Sequence, residues 1–163
     1  MSALEAMAAE FLAQERIAVA GVSRHDANAP ANLIYRKLRS AGRQVFALNP
    51  HADSVEGGPC YANLRVIPGG VSLVVVATPP QAAEAIVREC AELGIPRVWL
   101  HRSIGQGSVT SEAVALCRER GIQVIPGACP MMFCQPVDFP HKCMRWILRV
   151  RGSLPKCAGS SSG

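Results

Sequence analysis

The sequence predicts a three-layer α/β domain built on a five-stranded parallel sheet. Short apolar runs alternate with longer amphipathic segments along nearly the whole chain. The runs are almost continuously apolar, as in strands covered on both faces. A length of 163 residues suits one such domain. Strands that alternate with helices make a parallel sheet joined by right-handed crossovers.

Each element has its own signal. Leu4, Met7, Phe11 and Leu12 share one helical face within residues 3–14. The first strand covers about 16–21 and breaks on Gly21. Pro30 suits the first turn of a helix, with Asn28 ahead of it as a cap. That helix turns Ile34 and Leu38 to the core and stops at Gly42. Residues 45–48 form a second strand ended by Asn49-Pro50. Residues 51–70 read as loop, with Gly57-Gly58-Pro59 and Pro68-Gly69-Gly70 around a brief apolar piece. Val71 to Ala77 is the clearest strand, ended by Thr78-Pro79-Pro80 and followed by a helix from Gln81 to Leu93. A strand at 97–100, a glycine loop at 103–107, a helix at about 110–120 and a strand at 122–125 complete the alternation. The expected organisation is a domain over 1–135 that includes the N-terminal helix, a basic helical extension over 136–156 and a disordered tail over 157–163.

Composition narrows the function classes. No apolar stretch approaches the ~18 residues of a membrane span, and Glu5 and Glu10 stand where a signal peptide would be basic or apolar. Seven cysteines without regular spacing suit free thiols in a reducing cytoplasm. The net charge of +5 comes from the end of the chain, where Lys142, Arg145, Arg149, Arg151 and Lys156 follow the last acid, Asp138. A basic tail can contact nucleic acid or an anionic membrane surface. The simpler expectation is a solvated helix face, with no membrane partner. Aromatics make up only 5% and form no stacking platform, which argues against nucleic acid.

Ligands of open parallel sheets bind outside the carboxyl ends of the strands. Those ends carry Gly21-Val22-Ser23, Asn49-Pro50-His51, Ala77-Thr78-Pro79-Pro80, His101-Arg102-Ser103 and Gly127-Ala128-Cys129. A strand, a glycine turn and a helix N-terminus together suit a phosphate. The dinucleotide fingerprint is absent, because Ser23 and Asp26 stand where glycines are required. An NAD site also wants an acid after the second strand, where this chain has Asn49. The P-loop pattern G-x-x-x-x-G-K-[ST] occurs nowhere.

Val19-Ala20-Gly21-Val22-Ser23, Leu48-Asn49-Pro50, Ala77-Thr78-Pro79-Pro80 and Gly127-Ala128-Cys129-Pro130-Met131 follow in order, each at a strand end. In this they resemble the CoA-binding domain family, a Rossmann-like module also found as the first domain of the succinyl-CoA synthetase α subunit. The resemblance covers roughly Arg16 to Phe133. It implies that coenzyme A or an acyl-CoA is the ligand. By the same resemblance Gly21, Val22, Ser23, Arg24 and His25 line the phosphate end, Asn49 and Pro50 border the nucleotide, and Ala77, Thr78 and Pro79 form a wall. His51, Ile104, Gly105 and Cys129 complete the candidate set, with Cys129 near the thiol end. Arg24 and Asp26 depart from the synthetase pattern, which has smaller or amide residues there.

Residue chemistry fits this ligand. Ser23 adds a hydroxyl and Arg24 a planar fork suited to phosphate, while His25 and His51 add donors. Cys129 reads as a buried structural thiol in preference to a reactive one. Cys129, Cys134, His141 and Cys143 match no standard zinc spacing, so no metal is expected. Met144, Ile147, Leu148 and Arg151 share one side of a final helix from about 141 to 150, which packs on the domain or on a partner and leaves room for a homodimer. No catalytic residue is assigned, His101 being a strand-end polar residue. The expected protein is a stand-alone CoA binder without catalytic apparatus. An NAD(H)-binding oxidoreductase or redox sensor using the same crevice is the alternative.

Overall fold

A computed structural model describes residues 1–103 and 107–156. Its helices are α1 (Ala3–Leu12), α2 (Pro30–Ser40), α3 (Pro80–Leu93), α4 (Ser111–Glu119) and α5 (Phe139–Val150). The strands are β1 (Arg16–Ala20), β2 (Gln44–Leu48), β3 (Ser54–Val55), β4 (Gly58–Tyr61), β5 (Leu73–Val76), β6 (Arg97–Leu100) and β7 (Gln123–Pro126). They form one sheet in the order β3-β4-β2-β1-β5-β6-β7.

The five expected strands are all present and parallel. The sheet nevertheless has seven strands, because part of the expected 51–70 loop joins its edge. β4 pairs parallel to β2, and β3 folds back antiparallel on β4 with Val55 opposite Gly58. Two residues make the turn, Glu56 (φ 51°) and Gly57 (φ 71°). Both are left-handed, as a tight hairpin turn requires.

Alternating side chains divide the core between the two faces of the sheet. Ile17, Val19, Leu73, Val75, Trp99 and Ile125 pack with residues of α1 and α2 on one face. Ala18, Ala20, Val74, Val76, Val98 and Leu100 pack with α3 and α4 on the other. Each fully buried aliphatic side chain contributes about 1.5–3 kcal/mol. Trp99 is fully buried, meets Phe11 edge-to-face at 6.3 Å and donates its indole N–H to the Gly127 carbonyl at 3.0 Å.

Two expectations about helix ends are corrected. Asn28 does not cap α2. The cap position is Ala29, without a side-chain bond, and the Asn28 N–H instead meets the Asp26 carboxylate at 2.9 Å in a local turn. The last helix starts at Phe139, earlier than expected, because Asp138 caps it and Pro140 fits its first turn. Met144 and Leu148 pack on the core, while Ile147 stays 41% exposed. The expected tail over 157–163 lies outside the described residues.

Candidate functional site

The chain runs from β1 outward to β2 and β4, then returns across β1 to β5. Strand order therefore reverses between β1 and β5, and a crevice opens at their carboxyl ends. Gly21 and Thr78 face each other there. Gly21 has φ +99°, and a Cβ on it would lie 2.4 Å from the Ala77 carbonyl oxygen. Only glycine fits this approach.

Hydrogen bonds from distant residues hold the loop after β1. Asn32, only 1% exposed, accepts the Ser23 N–H at 2.7 Å and donates to the Ser23 carbonyl at 2.8 Å. Its amide also donates to Glu56 at 2.7 Å, and Arg36 reaches the same carboxylate oxygen at 2.8 Å. These bonds, with Asn32 foremost, lower the Glu56 pKa, so the carboxylate stays ionised as the anchor of the network. The Ser23 hydroxyl accepts the His25 and Asp26 N–H groups at 3.1 and 3.0 Å and shapes the turn. Asn49 donates to the Val22 carbonyl at 2.9 Å and accepts the His51 N–H at 2.8 Å.

On the other wall, the Ser108 hydroxyl accepts the Thr78 N–H at 2.9 Å and donates to the Thr78 carbonyl at 2.6 Å. Helices α2 and α3 start beside the crevice. Neither has a side-chain cap, their cap positions being Ala29 and Pro79. By contrast α1, α4 and α5 are capped by Ser2, Thr110 and Asp138. The two helices flanking the switch point each begin with a proline, so the Ala31 and Gln81 N–H groups of their first turns have no side-chain cap, and their positive dipole ends lie beside the crevice.

Two concavities flank the loop. A largely apolar cleft of about 310 Å³ lies among Gly21, Asn49, Pro50, Ala62, Thr78 and Ile86. A polar hollow of about 420 Å³ is lined by Ser23, Arg24, His25 and residues 54–57. Arg24 and His25 are exposed and joined by a 2.9 Å bond. The structure thus gathers Gly21, Asn49, Pro50 and Thr78 in one concavity and Ser23, Arg24 and His25 in the other. Val22 is fully buried and supports the loop from beneath, while His51 is exposed just beyond Asn49. Pro79 is the first residue ahead of α3, and the Ala77 carbonyl closes on Gly21. Ile104 and Gly105 lie outside the described residues.

Cys129 sits in the core with Met132 and Cys134, 4% exposed, and burial pushes its thiol up to about 11. It is a protonated packing residue at neutral pH. His101, 6% exposed at the end of β6, is driven down to about 4 by burial and is neutral. Among the described residues no three His, Cys, Asp or Glu side chains converge to hold a metal. Asn32, Glu56 and Ser108 were not singled out by sequence reasoning. The one available signal was Asn32, a polar residue beside Ala31 and Ile34 on the buried side of an otherwise amphipathic helix.

The CoA-binding domain family model matches residues 15–135. The chain belongs to the CoA-binding domain family. The N-terminal helix and everything from Pro136 onward lie outside the family match. Within the family's reach, the chain is 32% identical over 74 residues to ADP-forming acetate–CoA ligase I of Archaeoglobus fulgidus, covering 45% of this chain and 11% of that protein. It is 29% identical over 92 residues to the α subunit of acetate–CoA ligase II of Pyrococcus furiosus, covering 54% and 19%. The chain therefore spans under a fifth of these relatives. Among solved structures, a hypothetical protein from Pyrococcus horikoshii superposes with a TM-score of 0.74 at 23% identity, over 82% of this chain and 91% of that one. The dinucleotide-forming acetyl-coenzyme A synthetase 1 of Ca. Korarchaeum cryptofilum shares the fold over 68% of this chain and 25% of its own, with a TM-score of 0.58 at 24% identity.

Proposed function

We propose that this CoA-binding domain holds coenzyme A, free or acylated, across the β1–β5 crevice, and that its own residues do not transform the thioester. The observation that carries this reading is the pair of uncapped helix N-termini, α2 and α3, on either side of a glycine that no larger residue can replace. CoA brings a pyrophosphate and a 3′-phosphate, and such sites take them on backbone N–H groups with added cations. The apolar cleft beside Pro50 and Ile86 suits the flat base, and Arg24 and His25 in the polar hollow offer outer donors to phosphate, with His51 exposed beyond Asn49. Asn49 spends its side chain on Val22 and His51, so no carboxylate meets a ribose there as an NAD site would want. A neutral buried His101 and a protonated Cys129 support binding without catalysis. The described cysteines are all free thiols, which supports a reducing, cytoplasmic setting.

Thermal melting tests this directly. CoA or acetyl-CoA at 100 times its Kd should stabilise the protein by about 2.7 kcal/mol, a rise of roughly 5–10 °C in Tm. Ala85→Glu, at an exposed position lining the cleft, should leave the ligand-free Tm in place and remove most of the rise. A rise with NAD or NADH and none with CoA would overturn the assignment.

A further inference from the structure

Helix α5 is apolar on two opposite sides. Met144 and Leu148 pack on the core. On the other side Phe139, Cys143, Trp146, Ile147 and Val150 recur at helical spacing and form a stripe. Phe139 is 77% exposed, Trp146 66%, Ile147 41% and Val150 67%. A bare face of this kind marks a contact surface. The segment 139–156 holds five Lys or Arg and no acid, so it supplies the whole net charge of +5. On the helical wheel Lys142 and Arg149 flank one side of the stripe, and Arg151 flanks the other. Arg149 is bonded to Glu5 at 2.5 Å. It is the only one of these five cations with a carboxylate partner among the described residues.

We infer that α5 seats this protein on an anionic lipid surface, with Phe139, Trp146 and Val150 in the interfacial layer and the flanking cations against the headgroups. Aromatic and aliphatic residues on one face with Lys and Arg beside them are what such a layer accepts, and an amphipathic Trp favours its depth. Charge disfavours a second copy paired helix to helix. Paired antiparallel, the two helices would bring the Lys142–Arg149 flank against itself; paired parallel, they would bring it against Arg151. Both arrangements oppose like charges. A nucleic-acid backbone would match the charge but offers no apolar phase for the stripe.

The fluorescence is well placed to report this, because the two tryptophans are Trp146, exposed, and Trp99, fully buried. The test is sedimentation of the full chain with phosphatidylcholine vesicles, with or without about 30 mol% phosphatidylglycerol. Trp146 emission is recorded in parallel. The protein should sediment only with the anionic vesicles, shift its emission to the blue, and be released as salt rises from roughly 0.05 to 0.5 M. Lys142→Glu with Arg151→Glu should weaken binding at least about tenfold. Phe139→Ser with Trp146→Ser should abolish it, while circular dichroism melts of both variants stay near wild type. Failure to sediment with anionic vesicles at low salt overturns the inference. So does an emission already blue without lipid that reddens on dilution, which would identify a second copy. Retention on nucleic acid without vesicle binding overturns it as well.

Discussion

At Gly21 backbone conformation and close packing coincide. Its φ of +99° and the 2.4 Å approach to the Ala77 oxygen both exclude a side chain. Gly21→Ala should therefore cost about 2–3 kcal/mol and lower Tm by roughly 5–10 °C in a thermal scan. His101 sets a pH dependence. Its proton affinity is lower folded than unfolded, falling from 6.5 to about 4. The unfolded chain therefore binds more protons between those values, and stability falls as pH drops from 6.5 towards 4. The loss is on the order of 3 kcal/mol, and urea titrations across that range should show it shrink in His101→Asn. Gly21, Asn49 and Thr78 were legible in the sequence because each lies within two residues of a strand's carboxyl end. Asn32 and Ser108 were not, because each acts on a residue 9 or 30 positions away through hydrogen bonds that no local pattern encodes.

The elements differ in how openly they declare themselves. The five expected strands are mostly apolar runs, and every expected helix is present. The hairpin of β3 and β4 stayed hidden because strands of two and four residues, one containing Pro59, carry no periodicity. Helix ends were the weaker reading. Asn28 does not cap α2, and the missing side-chain caps of α2 and α3 are what the proposed anion site rests on. Filling one of them separates stability from binding. Ala29→Asp places a carboxylate at the N-terminus of α2, where the backbone is already extended at φ −57° and ψ 144°. The ligand-free protein should gain about 1 kcal/mol, a rise of roughly 2–4 °C in Tm. The shift on adding CoA should shrink, because the new carboxylate competes for the same N–H groups and repels the phosphates.

At the scale of the molecule, fold and family were legible because strand-end motifs retain their order along the chain even where each one is short. What the sequence pattern could not give was the second apolar side of α5. Hydrophobic periodicity shows that a helix is amphipathic. It does not show which of two apolar faces the domain will use, and only packing assigns Met144 and Leu148 inward and leaves Trp146 bare.

The order of the sheet also governs how the folded chain behaves in a crowd. Its most apolar strand, Leu73–Val76, lies deep in the sheet, with four strands on one side and two on the other. The outer rims are poor templates for further pairing. One is the two-residue β3, and the other is β7, which ends in Pro126 without an N–H to offer. The sequence stretch most prone to cross-β stacking is thus the one least able to meet its counterpart in another molecule. Association of folded chains through their sheets is disfavoured at both rims, and pairing through the central strand requires the domain to open first.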